Sequence, residues 1–531
     1  MKENKAKVSL LKGALYLSLA AFVGKVLSAL YKVPYQNMTG DVGYYVYQQV
    51  YPLYGIAFVL ATYGFPIVLS KTLAEMDISI TNVEEKYNRI VVLFIAMFIF
   101  NGMIGAALMI FANSIAILMG DPQLTIAIRY LGLPFFVIAF LSLARGYFQS
   151  QGNMVPSSIS QVVEQTVRIV VILSVATIAM AYNDPYKAGI SAGVGAFVGG
   201  ISGVLVMFVY VLREKKLKKL PRVSKNGIKK VWRVDIRQFF YSSLLVSISA
   251  MALIIYQFID SFTIIRLLHF GGWDDVAAMK GIYDRGWPMI QLGAVVTTVF
   301  SYALIPSLTA AYVKKEYEHL RQLTMQSIKV CIVFGGAAAF GLIVVLPHLN
   351  PMLFKDQSGV IALQILSTTV LFAALFMTIA ALLHAINRAR DAALLLAAGV
   401  VIKIIGNNIA VPVLGIEGAA LSSAISFLII ACCALYLLKR HRMVHRLEMT
   451  FMIKFVCAII VMIFAVKLFE KGLLTFYFHE GIVARWEHTL LAITLSLIGA
   501  IIFIVFIWIF KVFNRAEWYS LPKISKILPY K

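Results

Sequence analysis

The chain has 531 residues, of which 60% are hydrophobic and 14% charged, with a mean hydropathy of +0.84. That composition excludes a soluble enzyme and implies a protein integral to a membrane. The formal charge of +23, from 48 basic and 25 acidic residues, would suggest nucleic acid in a soluble chain, so a bilayer explanation of its distribution is tested first.

A spanning helix needs about 20 mainly apolar residues. Such runs predict fourteen spans, at approximately 10–30, 44–69, 90–112, 124–144, 157–181, 188–212, 238–265, 286–312, 322–347, 359–385, 392–412, 415–438, 450–469 and 488–510. With the amino terminus in the cytoplasm, 33 of the 48 Lys and Arg residues fall on the cytoplasmic side and 8 on the outer side. This is the asymmetry of the positive-inside rule, so both termini are expected in the cytoplasm. Lys12 and Lys25 interrupt the first apolar run and no convincing cleavage site follows, so the first span is expected to be retained. The fold class expected is an all-α polytopic membrane protein.

Two segments of equal length, GISAGVGAFVGGISGVLVMFVYVLR from Gly189 and GIEGAALSSAISFLIIACCALYLLK from Gly415, both begin Gly-Ile and end Tyr-x-Leu-basic. Pro66 with Pro306, and Gln149 with Asn387, stand at similar offsets. An even number of spans separates these equivalents, which predicts two parallel six-helix lobes. The expected organisation is a lobe at 1–212, a basic cytoplasmic linker at 213–237, a lobe at 238–446, and two further helices with a cytoplasmic tail at 447–531.

Charges at membrane depth cost about 2.5–3.5 kcal/mol on insertion scales and should face a cavity, a partner or the interface. Lys25 either faces a cavity or snorkels outward. In the fifth span Ser157, Gln161, Glu164 and Arg168 recur at spacings of 4, 3 and 4, one helical stripe with Gln165 beside it. It is either the wall of a water-filled cavity or a self-neutralising Glu164–Arg168 pair. The seventh span carries Ser242, Ser249, Tyr256 and Asp260, and Arg285 opens the eighth, so an Asp260–Arg285 pair is expected. Lys403 and Asn407, four apart in the eleventh span, share a face, and Lys403 is expected to serve the cavity. Tyr31, Tyr35, Tyr44, Tyr45, Tyr47, Tyr51 and Tyr54 crowd the ends of the first two spans. An interfacial aromatic belt is the default expectation, and a surface that stacks on sugar rings the alternative.

The cysteines, Cys331, Cys432, Cys433 and Cys457, all fall in apolar stretches and are expected to pack as small hydrophobes. Walker A and His-Glu-x-x-His patterns are missing, and the longest extramembrane segment is the basic linker. Covalent catalysis, a metal and a cofactor are not expected.

The strings GFPIVLSKTLAE at 64–75, RGYFQSQGNMVPSSISQVVEQTVR at 145–168, QFIDSFT at 257–263, YDRGWPMIQLG at 283–293 and KIIGNNIAVPVLGIEGAAL at 403–421 resemble the polysaccharide transporter branch of the MOP flippase superfamily. The stage V sporulation protein B type and the Gram-positive lipid II flippases are the most similar. The resemblance covers nearly the whole chain. It implies two lobes around a central cavity of alternating access, and undecaprenyl diphosphate-linked sugars moved from the inner to the outer leaflet. It also implies that Arg285 and Lys25 hold the diphosphate. Gram-negative lipid II flippases carry further arginines in the first two spans, where this chain has lysines in the first and no interior arginine in the second. Asp260 and Asn407 match a sodium site of some members, but Lys403 on the same face supplies a cation instead, and no bound sodium is expected.

The function expected is therefore a flippase in the bacterial cell membrane. Lys25, Arg168, Arg285 and Lys403 would attract the diphosphate, with Gln161, Glu164, Asp260 and Asn407 in the same polar interior. The partners expected are the lipid-linked glycan, membrane lipids and cell-envelope synthesis proteins, with no nucleic acid and a monomeric chain. Alternatives are a multidrug and toxin extrusion cation antiporter, a membrane-embedded polysaccharide polymerase, and a non-transporting scaffold for envelope or spore assembly.

Overall fold

The computed structural model describes residues 19–20, 22–79, 83–214, 234–444, 447–477 and 484–519. These residues are mostly helical, with no strand among them. Most of the basic linker lies outside the described residues. In chain order the principal helices are α1 (Lys32–Val59), α2 (Phe65–Ser79), α3 (Val83–Ile110), α4 (Phe135–Ser150), α5 (Val155–Ala181), α6 (Ile190–Arg213), α7 (Val234–Phe270), α8 (Val276–Asp284), α9 (Gly286–Val313), α10 (Tyr317–Phe354), α11 (Thr369–Ala385), α12 (Ala389–Arg440), α13 (Met449–Tyr477) and α14 (Arg485–Ile509). Internal contacts divide the chain into two units, Met1–Asp284 and Arg285–Lys531.

Among the described residues, eleven helical segments are long and apolar enough to cross a membrane. Two of them, Phe22–Met76 with 55 residues and Ala389–Arg440 with 52, each hold two expected spans, and α9 coincides with the expected eighth span. Sequence reading places a loop at 31–43, yet helix runs through it with a single break at Gly40 (φ +67°), and Gly415 (φ +61°) breaks α12 in the same way. Only glycine adopts this backbone without strain. Both breaks fold the chain back on itself. Tyr35 and Tyr47 would lie about 18 Å apart along a straight helix, but their ring centroids are 4.8 Å apart.

The fold-back at Gly40 makes an aromatic core in the first unit. Tyr35, Tyr44, Tyr45 and Tyr47 are fully buried and pack with Phe65 and Phe135. An aromatic belt would leave these rings at the surface, so that expectation is corrected: the tyrosines are interior. In the second unit, His348 of α10 meets His488 of α14 (Nδ1–Nδ1 3.2 Å) and Glu470 of α13 (Nε2–Oε1 3.0 Å), tying the last two helices to α10.

Candidate functional site: buried cations in each unit

The polar interior of the first unit is built on a stripe of small residues. Gly195, Gly199 and Gly203 repeat every four residues on α6 and let its backbone approach α5 closely. A methyl group on Gly199 would stand 2.8 Å from the Glu164 carbonyl oxygen, and one on Gly203 would stand 3.3 Å from Ser160 Oγ and 3.4 Å from Arg145 Nη2. Within this contact Glu164 is bracketed by two arginines. Arg145 donates to its Oε2 at 2.7 Å, and Arg168, one turn further along α5, donates to its Oε1. Arg145 also donates to Ser160 Oγ (2.9 Å), which donates to the Gly203 carbonyl (3.0 Å). Arg168 donates to Tyr54 Oη (3.0 Å) and lies 4.5 Å from the centre of the Phe58 ring. Gln161 and Gln165 are buried on the same helix. The expected intrahelical pair is present, but Arg145 joins it, leaving a buried cluster of two cations and one anion.

On the arm before Gly40, Lys25 is half-buried and Lys32, two turns further on, is 2% exposed. Lys32 falls between the first two expected spans, in an expected outer loop. Its ammonium has no hydrogen-bond partner among the described residues and stands 5.0 Å from the centre of the Tyr51 ring. Lys280 of α8 donates to both carboxylate oxygens of Asp284 at 2.6 Å. Burial pushes the Asp284 carboxyl up to about 6, with Lys280 and Lys32 pulling it down and Asp260 adding to the rise. Asp260 itself is buried and accepts from Tyr283 Oη at 2.8 Å.

In the second unit Arg285 is 0% exposed and donates from both terminal nitrogens to Asp356 at 2.8 Å, a carboxylate that keeps 39% of its side-chain surface. Partial burial would raise the Asp356 carboxyl, but hydrogen bonds from Arg285 and from the Ser358 N–H outweigh it and hold its pKa below the ordinary value. The expected Asp260–Arg285 pair would join residues of different units; within its own unit each has another partner. The break at Gly415 returns α12 so that Lys403 donates to Ser423 Oγ (2.6 Å) and to the Ala419 carbonyl (3.2 Å), with Asn407 buried one turn on. A separate apolar groove of about 310 Å³ runs between α10, α13 and α14, lined by Phe334, Leu342, Met462, Val466, Leu495 and Phe503 among others.

Sequence reading singled out Lys25, Gln161, Glu164, Arg168, Asp260, Arg285, Lys403 and Asn407, and missed Arg145, Lys32, Lys280, Asp284 and Asp356. The 7-residue interval from Lys25 to Lys32 is a helical repeat and could have flagged the second lysine. Asp356 carried no signal, because it comes from a short connection 71 residues beyond Arg285.

Long apolar helices that bury cations and amides define the class: a polytopic helical membrane protein. Residues 10–312 match the model of the polysaccharide biosynthesis protein family, and the chain belongs to that family. The uncharacterized membrane protein YabM of Bacillus subtilis (strain 168) is 33% identical over 522 residues, covering 97% of this chain and 95% of that protein. Lipid II flippase MurJ of the same organism is 25% identical over 458 residues, covering 81% and 83%. A solved structure of lipid II flippase MurJ in an inward closed conformation superposes with a TM-score of 0.67 at 16% identity, covering 93% of this chain and 98% of that one. The chain is thus a multi-pass helical membrane protein of this family, with the fold of that solved structure.

Proposed function

We propose that the chain flips an undecaprenyl diphosphate-linked oligosaccharide or peptidoglycan precursor from the cytoplasmic to the outer leaflet by alternating access. The observation that carries this is Lys32: an ammonium 2% exposed, with no hydrogen-bond partner among the described residues, held against Tyr51. A charge left in that setting is costly unless an anion comes to it. Lys25 shares its helix, Arg168 supplies the surplus charge of the Arg145–Glu164–Arg168 cluster, and Arg285 and Lys403 are the corresponding cations of the second unit. Gln161, Glu164, Asp260 and Asn407 complete the polar interior around the headgroup. The groove between α10, α13 and α14 offers an apolar surface to the lipid tail. The cargo is reoriented without bond cleavage. An inside-negative potential contributes about 2.3 kcal/mol per charge per 100 mV, so a headgroup with two negative charges would be driven outward by roughly twice that.

The same proposal takes residues 1–212 and 238–446 as the lobes of the cycle, joined by the basic linker 213–237 and followed by 447–531, although α7 packs with the first unit in this state. It takes the protein as a monomer in the bacterial cell membrane, both termini cytoplasmic, working alongside cell-envelope synthesis proteins. The test is flipping of fluorescent lipid II in reconstituted vesicles. Lys25→Ala, Lys32→Ala and Arg285→Ala are each expected to slow it at least tenfold, and unchanged rates in all three would overturn the assignment of the site.

A further inference from the structure

The seam between α1 and α7 carries polar groups that neither the fold nor the cation clusters use. On α7, Ser243, Ser247, Ile254, Gln257 and Ser261 fall on one helical stripe. At one end of the seam Gln49 Nε2 donates to the Ser261 carbonyl (2.7 Å), leaving Gln49 Oε1 and Gln257 Nε2 buried without partners among the described residues. At the other end a methyl on Gly64 would stand 2.5 Å from Ser247 Oγ, and the Ser243 and Ser247 hydroxyls, both fully buried, have no partners among the described residues either. Between the two ends lies a short apolar belt of Val59, Met251 and Ile254.

Buried hydroxyls and amides in folded proteins are nearly always hydrogen-bonded. A helix seam that leaves several unsatisfied on one stripe, at both sides of an apolar belt, is a surface that meets polar partners in another state. Its chemistry restricts those partners. Amides and hydroxyls both donate and accept, and this stripe of α7 carries no charge, so it suits neither an anion nor an apolar chain. It suits a neutral ligand dense in hydroxyls. We infer that the α1–α7 seam opens during the transport cycle and that Gln49, Ser243, Ser247 and Gln257 form the surface on which the sugar part of the cargo is hydrogen-bonded. This rests on the function proposed above and adds the position of the sugar relative to the cations.

The first test needs no cargo. With Cys331, Cys432, Cys433 and Cys457 replaced by alanine, Ser247→Cys and Gln257→Cys are treated in vesicles with a membrane-impermeant maleimide. Labelling of both is expected, because the seam must open. Lack of labelling at both would overturn the inference, whatever the protein transports. The second test adds lipid II or sugar-free undecaprenyl diphosphate. Lipid II is expected to slow labelling more than the sugar-free lipid does, and equal protection by the two would overturn the sugar assignment. Third, Ser243→Ala and Ser247→Ala remove unsatisfied hydroxyls from the closed state. They are expected to leave the melting temperature unchanged or raised, while slowing lipid II flipping by roughly tenfold, the worth of one lost hydrogen bond. A lowered melting temperature with unchanged flipping would make the hydroxyls structural and overturn the inference. If wild-type protein flips neither lipid, the proposed function fails, while labelling still decides whether the seam opens.

Discussion

Glu164 is the residue on which the charge of the first unit turns. It is the only carboxylate hydrogen-bonded to Arg145 and Arg168 among the described contacts, so both arginines depend on it for their counter-charge. Glu164→Gln leaves two buried guanidinium groups without a counter-charge, and a loss of about 3–5 kcal/mol is expected. Arg145→Gln leaves a neutral Glu164–Arg168 pair and should cost less. Thermal unfolding of the two variants in detergent checks the order. A second residue-scale expectation concerns pH. Asp284 is raised to about 6 in the folded protein, so the folded state binds its proton more tightly than the unfolded one between that value and about 4. Its contribution to stability should therefore increase as pH falls from 7 toward 4, and Asp284→Asn should remove that part of the slope. Asp356 has the opposite sign: its depressed pKa contributes stability that is lost only on acidification below about pH 4. The stripe Ser157, Gln161, Glu164 and Arg168 was legible from spacing alone. Arg145 and Lys32 were not, because counting charges by loop assigned both to the water phase.

At the scale of the elements, α6 sets how deeply α5 can bury its charges. Gly199→Ala would place a methyl 2.8 Å from a backbone oxygen of α5, which cannot move as a side chain would, and a destabilisation of about 1–3 kcal/mol is expected. Gly472→Ala in α13 has nothing within 4 Å of the added methyl and should be neutral or stabilising by about 0.5–1 kcal/mol through helix propensity. Comparing the melting temperatures of these two variants separates packing from propensity. Apolar run length made the helices legible, including both halves of α12. The fold-backs at Gly40 and Gly415 were not, since glycines occur throughout the spans and nothing local marks the two that adopt positive φ. The tyrosines were misassigned for the same reason: with Gly40 taken as part of a loop, they stand at a membrane surface instead of around a hairpin.

For the whole molecule, the charge of +23 separates into a large topological part and a small interior one. If the cytoplasmic placement of both termini holds, reporter cysteines at either end will be labelled by an impermeant reagent only in inverted vesicles. Labelling of either from the outer face would reverse the threading and the direction of transport with it. Family membership was legible because its strings follow the polar residues that the fold buries. The cargo was not, because no single sugar leaves a signature in helices chosen mainly for their apolar length.

The interruption at Leu60–Gly64 is a π turn, five residues inside what is otherwise continuous helix from the break at Gly40 to Ser79. Such a turn holds one residue more than an α-helical turn of the same rise. Counted as chain length, it is an insertion that the helix has absorbed instead of extruding as a loop. Deleting Thr62 would let the helix close its ordinary ladder and leave the faces of everything after it pointing as they do now. Phe65 and Leu69, now fully buried, would keep their sites. Homologues one residue shorter here are therefore expected to align with a single gap inside the π turn and to carry their apolar positions after it in phase with those of this chain, a pattern that alignment of such sequences can check.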